Sequence, residues 1–425
     1  MLLLLTAAVV RPATAVARRD VVPFLLLGAA FLAVAAVATA ANLDRVALGP
    51  TLLFLYGFLG PLAVFAAVVR IWPPGNARAV TNTLVALTVL QLLVVAGIDA
   101  PKFAAENNPD VFSGTFGENA YQLVFFLLVS AGVLVGVYTF ERGTRVARLA
   151  PALLVGIAGT IVVAQYRVLL MATLLTVLGL TVLLGARRGR GALVGVLTAG
   201  AMSAALILGA QYLPVLKLGP TYQSFTNDPS LYFRERLRAA DSVSRLYADK
   251  PEATVVGTGP GTFSSRAWYT FAEPKSRSKS NVAGRYVRVL TQGKDYHTDV
   301  ADKYVLPQIR RGRSVVSSKA LSSPLSSYFS ILAEVGIAGL VIMVIIYLQA
   351  LVGATRRALA AVRAAARPRD PLPAPMIGGA VAFFLLIQMA VFENWLEVTR
   401  ISFLAWILLA IGLREYAARY PSGSA

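Results

Sequence analysis

Along this chain, apolar runs of about 20 residues alternate with short polar breaks, and each run is long enough to cross a ~30 Å hydrocarbon core as a helix. The pattern predicts ten such spans, at 21–41, 51–71, 80–97, 118–140, 149–166, 167–185, 192–214, 325–354, 377–395 and 398–413. Seven precede and three follow one long polar interruption, residues 217–324. The expected fold is therefore all-α and polytopic, with N-terminal spans in 1–216, a large loop in 217–324, and C-terminal spans and a tail in 325–425. Met1 to Val10 is apolar but too short to span, and Arg11-Pro12 ends it. It lacks the basic start and small-residue cleavage site of a secretory leader. A short interfacial helix, or the tail of a span lost through a misplaced start codon, are both compatible with it.

Composition agrees with the pattern. Hydrophobic residues make up 57% of the 425 residues, charged residues 14%, and the mean hydropathy is +0.66, a balance no soluble domain of this length needs. There is no cysteine, so disulfides do not staple the loop, and a single histidine excludes a His-rich metal site. A net charge of +19 could suit nucleic acid, but most of it lies at span edges. Eighteen arginines fall in the short segments on one side of the ten-span arrangement, among them Arg70, Arg78, Arg142, Arg187, Arg356 and Arg419. The alternate short segments hold only Arg45, Lys102, Arg167 and Arg400. The positive-inside bias then predicts cytoplasmic termini and an outward-facing 217–324 loop.

That loop carries 18 Lys/Arg against 9 Asp/Glu. Long loops escape the orientation rule, so the excess has its own cause, which attraction to anionic headgroups or to a pyrophosphate-bearing lipid supplies. From Pro229 to Lys250, Phe233, Leu237, Ala240, Val243 and Tyr247 recur at helical spacing. Arg234, Arg238, Asp241 and Arg245 follow the same period on another face, flanked by Arg236. Arginines stacked a turn apart either form a solvated face or offer forked donors to phosphate oxygens. The stretch Gly257-Thr258-Gly259-Pro260-Gly261-Thr262-Phe263 fits neither a Walker A loop nor a dinucleotide fingerprint, and by itself reads as a tight glycine turn. Asp295, Asp299 and Asp302, set around His297, are either oxygen ligands for a divalent cation or, with Lys294 and Lys303 beside them, a solvated face.

Ionisable groups inside or beside spans are costly in lipid and mark function when they are not snorkelling. Arg167, Glu334, Glu393, Glu397 and Arg400 all fall toward the side of the large loop. Glu334 lies roughly 14 Å below the predicted start of its span.

The order of these pieces resembles the O-antigen ligase and polymerase superfamily of bacterial membrane glycosyltransferases. Four stretches carry the resemblance: Ser113 to Asn119; Tyr166-Arg167 before an apolar run; the arginine helix through Lys250-Pro251 to Gly257-Thr258-Gly259-Pro260-Gly261-Thr262-Phe263; and Tyr328 to Gly339 with Glu334 inside it. They cover about 113–340, over half the chain, in the family's order. Where ligases carry histidine and asparagine, this sequence has Leu325 and Ser326, which favours the polymerase branch or a non-catalytic relative.

The resemblance implies a GT-C-like, metal-independent enzyme without a cofactor, which polymerises or ligates a polyprenyl-pyrophosphate-linked glycan outside the bacterial plasma membrane. Its partners would be that lipid-linked oligosaccharide, the bilayer and other polysaccharide-assembly proteins, with no nucleic acid. By matched position, Arg167 and the Arg236/Arg238 pair, with Arg234, would hold the pyrophosphate. Asn119, Gly257, Gly259, Tyr328 and Arg400 would line the substrate site. Glu334 is the nearest candidate for the base that helps an acceptor hydroxyl attack, or equally a structural hydrogen bonder between helices. A flippase for lipid-linked sugars is the reading from another class, although no internal repeat supports it.

Overall fold

The computed structural model describes residues 15–106, 111–117, 120–164, 240–272, 296–307, 326–365 and 370–420. Among the described residues the chain is all-helical, without strands, and eight helices are long and apolar enough to cross a membrane. The protein is an all-α polytopic membrane protein. Before the loop these helices are α1 (Ala15–Ala41), α2 (Leu48–Ile71), α3 (Ala77–Glu106), α4 (Ala120–Phe140) and α5 (Arg145–Val163). Within the loop lie α6 (240–249), α7 (Ala253–Val256) and α8 (Arg266–Ala272). After it come α9 (Ser327–Ala364), α10 (Pro373–Phe392) and α11 (Thr399–Arg419). The predicted spans at 167–185 and 192–214 lie outside the described residues.

Local chemistry sets the helix ends. Thr144 caps α5 by accepting the Ala147 N–H at 3.1 Å, and Ser326 starts α9 with its side chain turned toward the Phe329 N–H. Pro373 opens α10, where its missing N–H costs nothing. Two predicted spans run well past their expected ends, 325–354 to Ala364 and 80–97 to Glu106. The latter helix widens into a π turn at Val95–Asp99 and runs on to Glu106, and the Asp99 carboxylate in this turn accepts the Ser113 and Gly114 N–H groups.

The bundle core is aromatic. Trp406 is fully buried and meets Phe24, Phe65, Tyr347 and Phe383 with ring centroids 5.1–5.8 Å apart, pairs that contribute ~0.5–1.5 kcal/mol each beyond area burial. Gly132 and Gly136 bring α4 against Gly378, Val381 and Ala374 of α10, the close backbone approach by which membrane helices associate.

Polar ties lie at the two ends. At one, Glu415 accepts from Trp72 Nε1 at 3.0 Å and from the Gly75 and Asn76 N–H groups at 2.9 Å. Arg419 pairs with Asp370, and Arg357 with Asp20 at 2.9 Å. This is the end where the alternation of spans gathers the arginines. At the other end, the described part of the large loop docks onto the bundle.

Candidate functional site

The docking begins with a break in α9. Gly336 sits at φ 76°, ψ −176°, which interrupts the helix about two and a half turns in. A β-carbon there would collide with the Val255 carbonyl, and positive φ disfavours any residue but glycine. The interruption releases three successive carbonyls from the helical ladder. Tyr247 Oη donates to Leu332 O at 2.8 Å, Thr258 N to Ala333 O at 2.9 Å, and Gly259 N to Glu334 O at 2.9 Å. The loop therefore satisfies the backbone groups that a broken helix would otherwise leave bare in an apolar setting.

Glu334 completes the joint. It has no solvent exposure. Its carboxylate accepts the N–H groups of Gly261, Phe263, Ser264 and Ser265 at 2.5–3.1 Å. A carboxylate surrounded in this way by backbone donors replaces its hydration shell completely. Where the sequence offered a base or a hydrogen bonder between helices, the carboxylate ties α9 to the loop. Both oxygens are occupied, and the partner is the glycine turn. Gly257 and Gly259, placed in the substrate site by resemblance, sit at φ 68° and 99° and are pressed against the Glu334 backbone and Val46 respectively. They shape the turn. Asn42 reaches the Gly257 carbonyl at 3.3 Å, and Gly261 packs on Pro50, its β-carbon position 2.6 Å from that ring.

A second buried acid lies alongside. Glu397, in the short turn between α10 and α11, accepts the Arg266 N–H at 2.6 Å and Asn394 Nδ2 at 2.9 Å. Asn394 also reaches Ser264 O and Ser330 Oγ at 3.2 and 3.3 Å. Burial pushes the Glu397 carboxyl well above the ordinary glutamate range, the nearby Glu334 charge adds to this, and the Arg266 N–H opposes it. Sequence reasoning named Glu393 and Glu397 but not Asn394, Ser264 or Ser330. The available signal was the polar cluster Glu393-Asn394 set between two apolar runs.

The rest of the described loop packs Val243, Leu246, Phe263, Trp268 and Val300 into a small core together with Ala333 of α9. Thr298 Oγ1 donates to Thr262 O at 2.6 Å. Tyr296 Oη reaches Arg45 O at 3.2 Å, and its hydroxyl is pushed above the usual tyrosine value chiefly by burial. Asp299 takes Lys250 at 3.1 Å and Arg45 at 3.4 Å, while Asp302 faces His297 at 3.3 Å. Each of these acids has a side-chain partner, and among the described residues no group of three metal-ligating side chains occurs.

The remaining expectations divide as follows. Tyr328 donates to Ile387 O at 3.1 Å, bridging α9 and α10. Arg400 is exposed in the first turn of α11, three residues from Glu397. Arg167, Arg234, Arg236, Arg238, Asn119 and Asp295 lie outside the described residues. Ser326, standing where ligases carry asparagine, is buried and donates to Ala390 O at 2.9 Å. Compared with protein-family models and with curated proteins, the chain matches none.

Proposed function

We propose that this chain is a membrane glycosyltransferase that polymerises or ligates a polyprenyl-pyrophosphate-linked glycan on the outer face of a bacterial plasma membrane. The observation that carries the reading is the interlock of two stretches that underlie the resemblance. Gly257–Phe263 and Glu334–Gly339 are distant in sequence and form one hydrogen-bonded joint at the loop-bearing end of the bundle. Such a joint ties the described loop segment 240–272 to the spans, and a fixed scaffold is what pre-organised charge needs in order to act. In this reading Arg167 and the Arg236/Arg238 pair hold the diphosphate. They stabilise the negative charge that develops as the glycosyl C1–O bond breaks, and the lipid tail lies between spans. Glu334 is then a positioning residue, acting through the glycine turn.

The reaction predicts that Arg167→Ala or Arg236→Ala abolishes long-chain polysaccharide in the producing cell while the protein level holds. Unchanged chain lengths in both variants would overturn the assigned roles. A flippase is the second reading, favoured by the broken helix at Gly336, since transporters build sites from discontinuous helices. Here the carbonyls freed at the break are taken up by the loop. A non-catalytic assembly protein is favoured by Ser326, whose hydroxyl is committed to the Ala390 carbonyl.

A further inference from the structure

At the arginine-rich end, opposite the joint, a groove of about 650 Å³ opens between α1, the C-terminal half of α9 and α11. This volume falls within the ~300–1,000 Å³ typical of small-ligand sites. Its apolar lining includes Phe24, Leu348, Leu409 and Leu413. Its mouth carries Asp20, Arg356, Arg357 and Tyr416. From Leu348 to Arg356 the helix rises about 12 Å, so the groove passes from hydrocarbon depth to the level where headgroups sit. Arg357 is committed, 2.9 Å from Asp20 and donating at 3.1 Å to the Gly353 carbonyl. Arg356 is exposed and has no ion-pair partner among the described residues.

We propose that this groove binds one anionic phospholipid of the leaflet on the arginine-rich side, with its acyl chain along Phe24, Leu348 and Leu413 and its phosphate at Arg356. The inference goes beyond the glycosyl-transfer reading, because the groove lies at the other end of the bundle from the proposed reaction. Charge complementarity selects an anionic headgroup, since cationic side chains at the membrane edge attract anionic lipids. The apolar wall selects a lipid over a free anion, which would leave that wall uncovered. Arg357 and Asp20 fix the mouth, and Tyr416 adds the amphipathic ring favoured at a membrane edge.

Native mass spectrometry of the detergent-purified chain, offered phosphatidylglycerol or phosphatidylcholine, tests this. Wild type retains phosphatidylglycerol preferentially. Arg356→Gln weakens that retention about fivefold, the worth of one arginine at an anionic surface. Leu348→Trp, which fills the apolar wall, lowers it as well, while Arg363→Gln, an exposed arginine of the same helix outside the groove, leaves it unchanged. Equal retention of both lipids by wild type would overturn the proposal, as would an equal loss in Arg356→Gln and Arg363→Gln. Displacement of phosphatidylglycerol by millimolar inorganic phosphate would overturn it too, since the site would then recognise the anion alone.

Discussion

A carboxylate that receives four backbone N–H groups has little capacity left to take a proton from a substrate. Glu334 is in that position, and its removal should be felt first in folding. Glu334→Gln turns an amide N–H₂ toward N–H donors and leaves buried donors unpaired, at ~1–3 kcal/mol each. The expected result is a melting temperature several degrees lower and faster proteolysis of the 240–272 segment. A variant as stable and protease-resistant as wild type that nevertheless lost activity would restore the role of base. Glu397 makes a pH prediction. Its folded value is raised above 4.5, so its contribution to stability is fully present below that value and is lost as pH rises toward the raised one. Asp249 shifts the other way, held below 3.8 by Lys303 and the Tyr304 hydroxyl, and so titrates beneath this window. Melting temperatures between pH 5 and 8 should fall more steeply for wild type than for Glu397→Gln, and parallel curves would contradict the assignment. At this scale the sequence showed that Glu334 and Glu397 are costly in lipid, because a charge inside an apolar run is visible by itself. What they hold was hidden, because all four Glu334 donors, and the Arg266 N–H of Glu397, are backbone groups far away in sequence that no side-chain pattern reports.

At the scale of elements, hydrophobic runs were the most legible feature. Eight of the ten predicted spans correspond to membrane-length helices, since a run of apolar residues in lipid has almost no alternative to a helix. The interruptions were less legible. The π turn at Val95–Asp99 and the break at Gly336 each have an acid beside them, Asp99 and Glu334, but hydrophobic periodicity does not show that the helix changes there. Their cause is tertiary: Asp99 caps the 113–114 turn, and Gly336 admits the loop. Gly336→Ala should cost at least ~1–3 kcal/mol through backbone strain, with the added clash against Val255, and should loosen the joint without unfolding α10 and α11. Hydrogen exchange of Thr258 and Gly259, whose N–H groups bond α9, measures this directly. Protection unchanged from wild type would show that the break does not depend on glycine. The amphipathic stripe predicted over 229–250 is seen in its second half, where Val243 and Leu246 are buried and Arg245 pairs outward with Asp241 at 2.9 Å.

For the whole molecule, two sets of polar ties lie among the described helices. Glu415, Asp370 and Asp20 hold one end, and Glu334, Asn394 and Glu397 hold the other. In the proposed reading, a loop tied to its spans suits chemistry on a lipid-borne substrate, with the reacting group held at the bilayer surface. The most direct measurement is made with purified protein in lipid vesicles, given a polyprenyl-pyrophosphate-linked repeat unit and followed by the length of the lipid-linked glycan. Glycosyl transfer predicts lengthened chains in wild type and none in Arg236→Ala. Passage of the lipid across the bilayer without lengthening, or no change of any kind, would contradict it.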